Sequence, residues 1–187
     1  MNIATAAQAT RKQEEILSLL HRIFRTAEPR DAWRPLYDAI VARARDPFWY
    51  REGGVPDTVD GRFDMIAALS ALVLLRLEAM GDEGRLPAVL LAELFVADMD
   101  SSLREIGIGD YVVGKHIGRM MSALGGRLGA FRAAGPDGDL GPAVNRNIFH
   151  EAPPSEAALA LARDRLAGFR AALAGTSLAA LAAGRLP

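Results

Sequence analysis

Residues 95–115, FVADMDSSLREIGIGDYVVGK, hold the side chains of this chain best suited to chemistry. Asp98, Asp100, Arg104, Asp110 and Lys115 stand among Gly107, Gly109 and Gly114. Three arrangements use such residues: a glycine loop around a phosphate, a carboxylate cluster holding Mg²⁺, and a charged corner between two helices. Gly109 to Lys115 does spell G-x-x-x-x-G-K. His116, however, follows where the metal of a phosphate loop needs Ser or Thr, and bulky Tyr111, Val112 and Val113 fill positions that must wrap closely. No strand pattern precedes the segment, so the phosphate reading fails.

For a metal, Asp98 and Asp100 point about 200° apart on a helix. They cannot share one ion. Asp60 and Asp64 are four apart and share a face. Together with Asp98 they define one alternative, a metal-dependent helical enzyme using Mg²⁺. The charge reading is stronger. Asp100 precedes Arg104 by four, the favourable order for a helical ion pair. Asp98, near a helix C-terminus, opposes the dipole there and calls for a cation such as Arg62 or Lys115. We therefore expect a structural charge network of Arg62, Asp64, Asp98, Asp100, Arg104, Asp110 and Lys115, with no metal and no catalytic residue. His21, His116 and His150 show no metal-ligand spacing, and no serine stands in a G-x-S-x-G elbow. A second alternative, a haem-binding helical module, would use His116.

A binding surface is the remaining candidate. Phe48, Trp49 and Tyr50 are consecutive in a loop-like setting, and three adjacent rings cannot all face one core. Aromatic residues anchor interfaces. A basic stripe of Lys115, His116, Arg119 and Arg127 reads as a solvated helix face.

The elements that position these residues are helical. The first carries Ile16, Leu19, Leu20, Ile23 and Phe24 at helical spacing over 9–27. Asp31 is the expected cap of a helix over 32–45, and Asp57 or Thr58 of a long central one over 59–80. Pro87 falls in the first turn of a helix over 86–100. A corner at 101–109 leads to a helix over 110–134, a GPDG turn at 135–138, a short helix near 139–149 and an Ala-rich helical tail over 155–184. The helix over 110–134 has an apolar stripe of Val113, Ile117, Met120, Leu124, Leu128 and Phe131. Beside it runs a stripe of Gly114, Gly118, Ser122, Gly125 and Gly129. Each glycine costs about 0.5–1 kcal/mol relative to alanine. Close approach of a neighbouring helix is the expected compensation, and Gly118→Leu is expected to loosen the protein.

The fold class is all-α: a single-domain bundle of about seven helices. It divides into an N-terminal helix (1–30), a helical core (31–150) and the tail (151–187), packed on the core or extending from it. The 187 residues are half hydrophobic with a net charge of −1, which disfavours nucleic acid as a partner. The absence of cysteine excludes thiolate chemistry and disulfides. No secretory signal and no apolar run long enough to span a bilayer is evident.

Several motifs occur in an order that resembles the ubiquinol–cytochrome c chaperone family. They are Leu36-Tyr37, Ile40-Val41, Ala44-Arg45, Pro47-Phe48-Trp49-Tyr50, GVPDT at 54–58, GRFDM at 61–65, Arg76-Leu77, and LFVADMDSSLREIGIGD at 94–110 with Val113 and Lys115. The resemblance covers about residues 33–149. It leaves out the N-terminal helix and the tail. It implies a non-enzymatic assembly factor for the bc1 complex, complex III of the respiratory chain. The client would be newly made cytochrome b, with no cofactor and no small-molecule substrate. Mitochondrial members work with a small helical co-chaperone near the exit of the organelle's ribosome. No organelle transit peptide is evident here, and the Ala-, Gly- and Arg-rich composition suits a GC-rich bacterium. The resemblance thus implies a bacterial-type homologue in the cytoplasm, peripheral to the inner membrane. Phe48, Trp49 and Tyr50 are the expected part of its client surface.

Overall fold

The apolar run from Met65 to Leu77 dictates the centre of the fold. A helix apolar on almost every face must be surrounded, and this one is. The structure, a computed structural model, describes residues 29–105 and 110–187, with Leu103 and 110–113 as backbone alone. The expected helix over 9–27 lies outside the described residues, as does the centre of the corner at 106–109.

A 3-10 turn at Pro29–Trp33 leads into α1 (Arg34–Ala44), followed by α2 (Phe48–Arg51), α3 (Val59–Ala79), α4 (Asp82–Glu105), α5 (Asp110–Ala134), α6 (Gly141–Asn147), α7 (Glu156–Ala174) and α8 (Leu178–Ala182). No strand occurs among the described residues. The architecture is an all-α, single-domain bundle.

Helix α3 is the axis. Every residue from Asp64 to Leu74 is buried, and the helix packs against α1, α4, α5 and α7. Leu69, Leu72 and Leu77, at 0–2% exposure, each contribute about 1.5–3 kcal/mol by leaving water. Its start is set by Thr58, whose hydroxyl accepts from the Gly61 N–H at 3.1 Å. Gly61 is required for a second reason: a Cβ there would lie 2.0 Å from the Pro56 carbonyl oxygen. The GVPDT segment therefore folds tightly back over the first turn of α3.

Two boundaries differ from expectation. Asp31 does not cap α1; the N-cap is Trp33, without a side-chain bond. Helix α4 begins at Asp82, whose carboxylate and that of Glu83 suit the positive end of the helix dipole. Pro87 consequently falls in the second turn, where it forfeits one intrahelical bond. The tail is part of the core: Leu166, Phe169 and Leu173 are buried. It is tied down at Gly54, where φ is +67° and a Cβ would meet Pro154 and Ala158 within 2.8 Å.

Helix α5 carries the main correction. Leu124 and Phe131 are buried, and Ile117, Met120 and Leu128 pack partly against the core. The glycine stripe faces the other way. Among the described residues, a Cβ added at Gly114, Gly118, Gly125, Gly126 or Gly129 meets nothing within 4 Å, so no described helix approaches closely. With no side chain to collide with, Gly118→Ala is expected to raise stability by about 0.5–1 kcal/mol through helix propensity alone. Gly118→Leu should likewise leave the fold intact. A lower denaturant midpoint for Gly118→Ala would refute this account of α5.

Candidate functional site

Asp64 opens the buried stretch of α3, and a carboxylate there needs a cation. Arg127, one helix away on α5, supplies it. The two side chains are 5% and 4% exposed and form an ion pair through Arg127 Nη2 and Asp64 Oδ1. His150 Nε2 meets the other carboxylate oxygen at 2.8 Å. Arg127 also donates to the Asn147 carbonyl at 2.5 Å and, from Nη1, to the Ala123 carbonyl at 3.0 Å. Its Nε is buried without a partner. The Phe63 ring centroid is 5.7 Å from the guanidinium carbon, within cation–π range.

Burial pushes the Asp64 carboxyl above its ordinary pKa, against the opposing pull of Arg127 and His150. Burial likewise lowers Arg127, against Asp64. Both directions say that removal from water outweighs mutual attraction. The corner that delivers His150 is strained: His150 and Glu151 have φ of 51° and 65°, left-handed values that non-glycine residues rarely adopt.

Around this cluster opens a cleft of about 420 Å³, walled by Val59, Asp60, Phe63 and Asp64 of α3, by His116, Arg119, Met120, Ala123 and Arg127 of α5, and by His150. The five α5 residues fall within about 100° of one another at 100° per residue, which is why one helix flank lines the cleft. Val59 is 71% exposed.

A second cavity, of about 370 Å³, lies where α3, the end of α5 and α7 meet, and Arg76, Arg132 and Arg170 stand around it. Those three are committed to the fold. Arg76 donates to the Thr176 carbonyl, Arg170 to those of Gly135 and Gly138, and Arg132 pairs with Glu78.

The expected charge network is dispersed. Arg62 pairs with Asp57 at 2.8 Å and Arg104 with Asp100 at 2.8 Å, both exposed. Asp64 pairs with Arg127 and His150. Asp98 is held by neither Arg62 nor Lys115; the Tyr37 hydroxyl donates to it at 2.7 Å. Lys115 has no ion pair among the described residues, and the Asp110 side chain lies outside them. Asp60, Asp64 and Asp98 do not converge: among the described residues no three His, Asp or Glu side chains are placed to hold a metal.

The Tyr37 hydroxyl is raised well above the ordinary phenol range, first by burial and then by its bond to Asp98. A raised folded value means that this contribution is complete below the unfolded value and is lost as pH rises through the folded one. Stability should therefore decline above about pH 10, by up to about 1.4 kcal/mol per pH unit. Tyr37→Phe should flatten that limb. Some slope remains from Tyr50, which burial also raises. Alkaline denaturant melts check this; an unchanged slope in Tyr37→Phe contradicts it.

The aromatic triplet is a helical turn, not an open loop. Trp49 is 1% exposed, and its Nε1 donates to the Arg43 carbonyl at 2.8 Å. The Tyr50 hydroxyl donates to the Ala44 carbonyl at 2.7 Å. Both therefore satisfy carbonyls at the end of α1. Phe48 is half-buried beneath the Arg165 guanidinium, 4.0 Å from its centroid. Trp49 thus has no surface to offer a client, and only outer edges of Phe48 and Tyr50 remain.

The sequence profile described as Ubiquinol-cytochrome C chaperone matches residues 51–186. The chain belongs to the ubiquinol–cytochrome c chaperone family. It is also similar to a solved structure described as the Cbp3 homolog from Brucella abortus. That likeness has 31% identity, covers 91% of this chain and 94% of that one, and has a TM-score of 0.68. A comparison with curated proteins gives no match. The family match takes in the tail, which the resemblance left out, and begins at residue 51, after the Phe48-Trp49-Tyr50 motif. Both walls of the cleft, including the GRFDM motif at 61–65, fall inside it.

Arg127 and His150 escaped the sequence reading as partners of Asp64. Arg127 had a usable signal. On the helical wheel it falls about 20° from Met120, on the margin of the apolar stripe and not opposite it.

Proposed function

We propose that this protein is a non-enzymatic chaperone for assembly of ubiquinol–cytochrome c reductase, and that its client is newly made cytochrome b. The family match over residues 51–186 carries this reading. The side-chain geometry is compatible with it, since the buried charges Asp64 and Arg127 are spent on each other. No described helix is long and apolar enough to cross a membrane. We place the protein's action in the cytoplasm, peripheral to the inner membrane where the client inserts.

The alternatives have less support. For the metal-dependent enzyme, Asp64 is neutralised by Arg127 and Asp98 is occupied by Tyr37. For haem, His150 Nε2 is held by Asp64, and the His116 ring nitrogens lie 2.8 and 3.1 Å from Arg119. Absence of a Soret band after haem titration disposes of that reading.

The test is a strain lacking the gene. Assembled complex and spectroscopically detected cytochrome b should both fall in its membranes, and normal levels would overturn the proposal. Crosslinking in intact cells, read by mass spectrometry, should identify cytochrome b and any small helical co-chaperone or ribosomal contact.

A further inference from the structure

The cleft between α3 and α5 holds charges of two kinds. Asp64, Arg127 and His150 satisfy one another in its depth. On the rim, Asp60 stands on the α3 wall and Arg119 on the α5 wall, both exposed. Neither has a partner of opposite sign among the described residues. His116 lies against Arg119, its ring nitrogens 2.8 and 3.1 Å from Nη2. Between these rims the walls are apolar: Val59, Phe63, Met120 and Ala123. Val59, at 71% exposure, spends a β-branched apolar side chain on solvent in the first turn of a helix.

Two further features belong to this cleft. Arg127 lines it, is 3% exposed and keeps an Nε without an acceptor, as Arg170 does at the second cavity. The backbone at His150 and Glu151 also stays in the left-handed region. Such strain costs about 1–3 kcal/mol per residue and gathers at binding and switch sites.

We infer that this cleft is the docking site for the client chain. Its occupant is a polypeptide segment with an apolar anchor flanked by an acidic and a basic residue. The anchor lies against Val59, Phe63 and Met120, the acid faces Arg119 and His116, and the base faces Asp60. The inference rests on the chaperone reading above. The presence of both signs selects this occupant. A fatty acid or anionic lipid headgroup would gain from Arg119 but meet Asp60, whereas a polypeptide carries both charges at helical spacing.

The experiment uses the full chain, expressed in cells in place of the native gene, with a photo-reactive residue replacing Val59. The control replaces Leu161, exposed at 45% on α7. The Val59 probe should give an adduct with a subunit of ubiquinol–cytochrome c reductase, about tenfold above the control. Arg119→Glu or Asp60→Arg in the same chain should lower that adduct about tenfold, because a like charge then faces the segment. Both positions are exposed, and unchanged circular-dichroism melts confirm that the fold survives. Equal adducts from both probes, an unmoved adduct in Arg119→Glu, or an adduct with lipid, a second copy or residues 1–28 overturns the inference. The gene-deletion strain separates the two readings. If it loses the complex and the Arg119→Glu and Asp60→Arg chains restore it fully, the cleft inference fails and the chaperone reading stands. If the deletion strain assembles the complex normally, the chaperone reading fails first.

Discussion

Asp64→Asn is expected to lower the free energy of unfolding by about 3–5 kcal/mol, because it leaves Arg127 charged, buried and without a counter-ion, and Arg127→Met by somewhat less, because Asp64 keeps His150 on its other oxygen. The double variant Asp64→Leu with Arg127→Met should recover most of that loss. The argument is the burial of both side chains, 5% and 4% exposed. Burial raises Asp64 and lowers Arg127, so the ionised pair costs more in desolvation than its attraction returns. A small deficit should persist in the double variant, since the Asn147 carbonyl loses its donor, a loss worth about 1–3 kcal/mol for a buried group. A denaturant double-mutant cycle through Asp64→Leu, Arg127→Met and the double variant decides the matter. Strictly additive losses would show no coupling between the two side chains and overturn this account. The pH dependence carries the same sign. With its folded value raised, Asp64 adds stability that is complete below about pH 4, the unfolded value, and is lost as pH rises through the folded one. The double variant should lack that decline.

The physical reasons some features were legible and others not are specific. Helix α3 was legible because an apolar run bounded by a threonine cap admits few other structures. The start of α4 was misread because Pro87 is favoured in a first turn, while the weaker signal of Asp82 and Glu83 sets the real boundary. The glycines of α5 were misread because a residue without a side chain reports no polarity. A close helix crossing and an open face produce the same pattern. The tail could be read as packed on the core or extending from it because alanine carries little motif information; Leu166, Phe169 and Leu173 recur at spacings that bury one face. His150 had no local signal at all. It lies 86 positions from Asp64, and two non-glycine residues in left-handed backbone are invisible to any rule about turns. The cleft was therefore unreadable as a unit, although the GRFDM motif at its edge was already among the family-like features.

Trp49→Ala is expected to cost about 3–5 kcal/mol, the usual penalty for emptying a large aromatic site in a core. The side chain is 1% exposed, and its N–H satisfies the Arg43 carbonyl at the end of α1. Its removal opens a cavity and frays that terminus together. Phe48→Ala should cost far less, because Phe48 is half-buried and its main partner is the Arg165 guanidinium at 4.0 Å, a contact worth about 0.5–2 kcal/mol. The pair separates two roles for a motif that sequence alone presents as one surface. If Trp49 holds the fold, Trp49→Ala lowers the melting temperature and lowers assembled complex in proportion to the folded protein remaining in the cell. If it met the client directly, Trp49→Ala would melt like wild type and still fail to support assembly. The geometry favours the first outcome, because no part of the indole reaches solvent while two helices hold it. Any contribution of this motif to client binding must come from the outer edges of Phe48 and Tyr50. Phe48→Ala should then reduce assembly without a matching loss of stability.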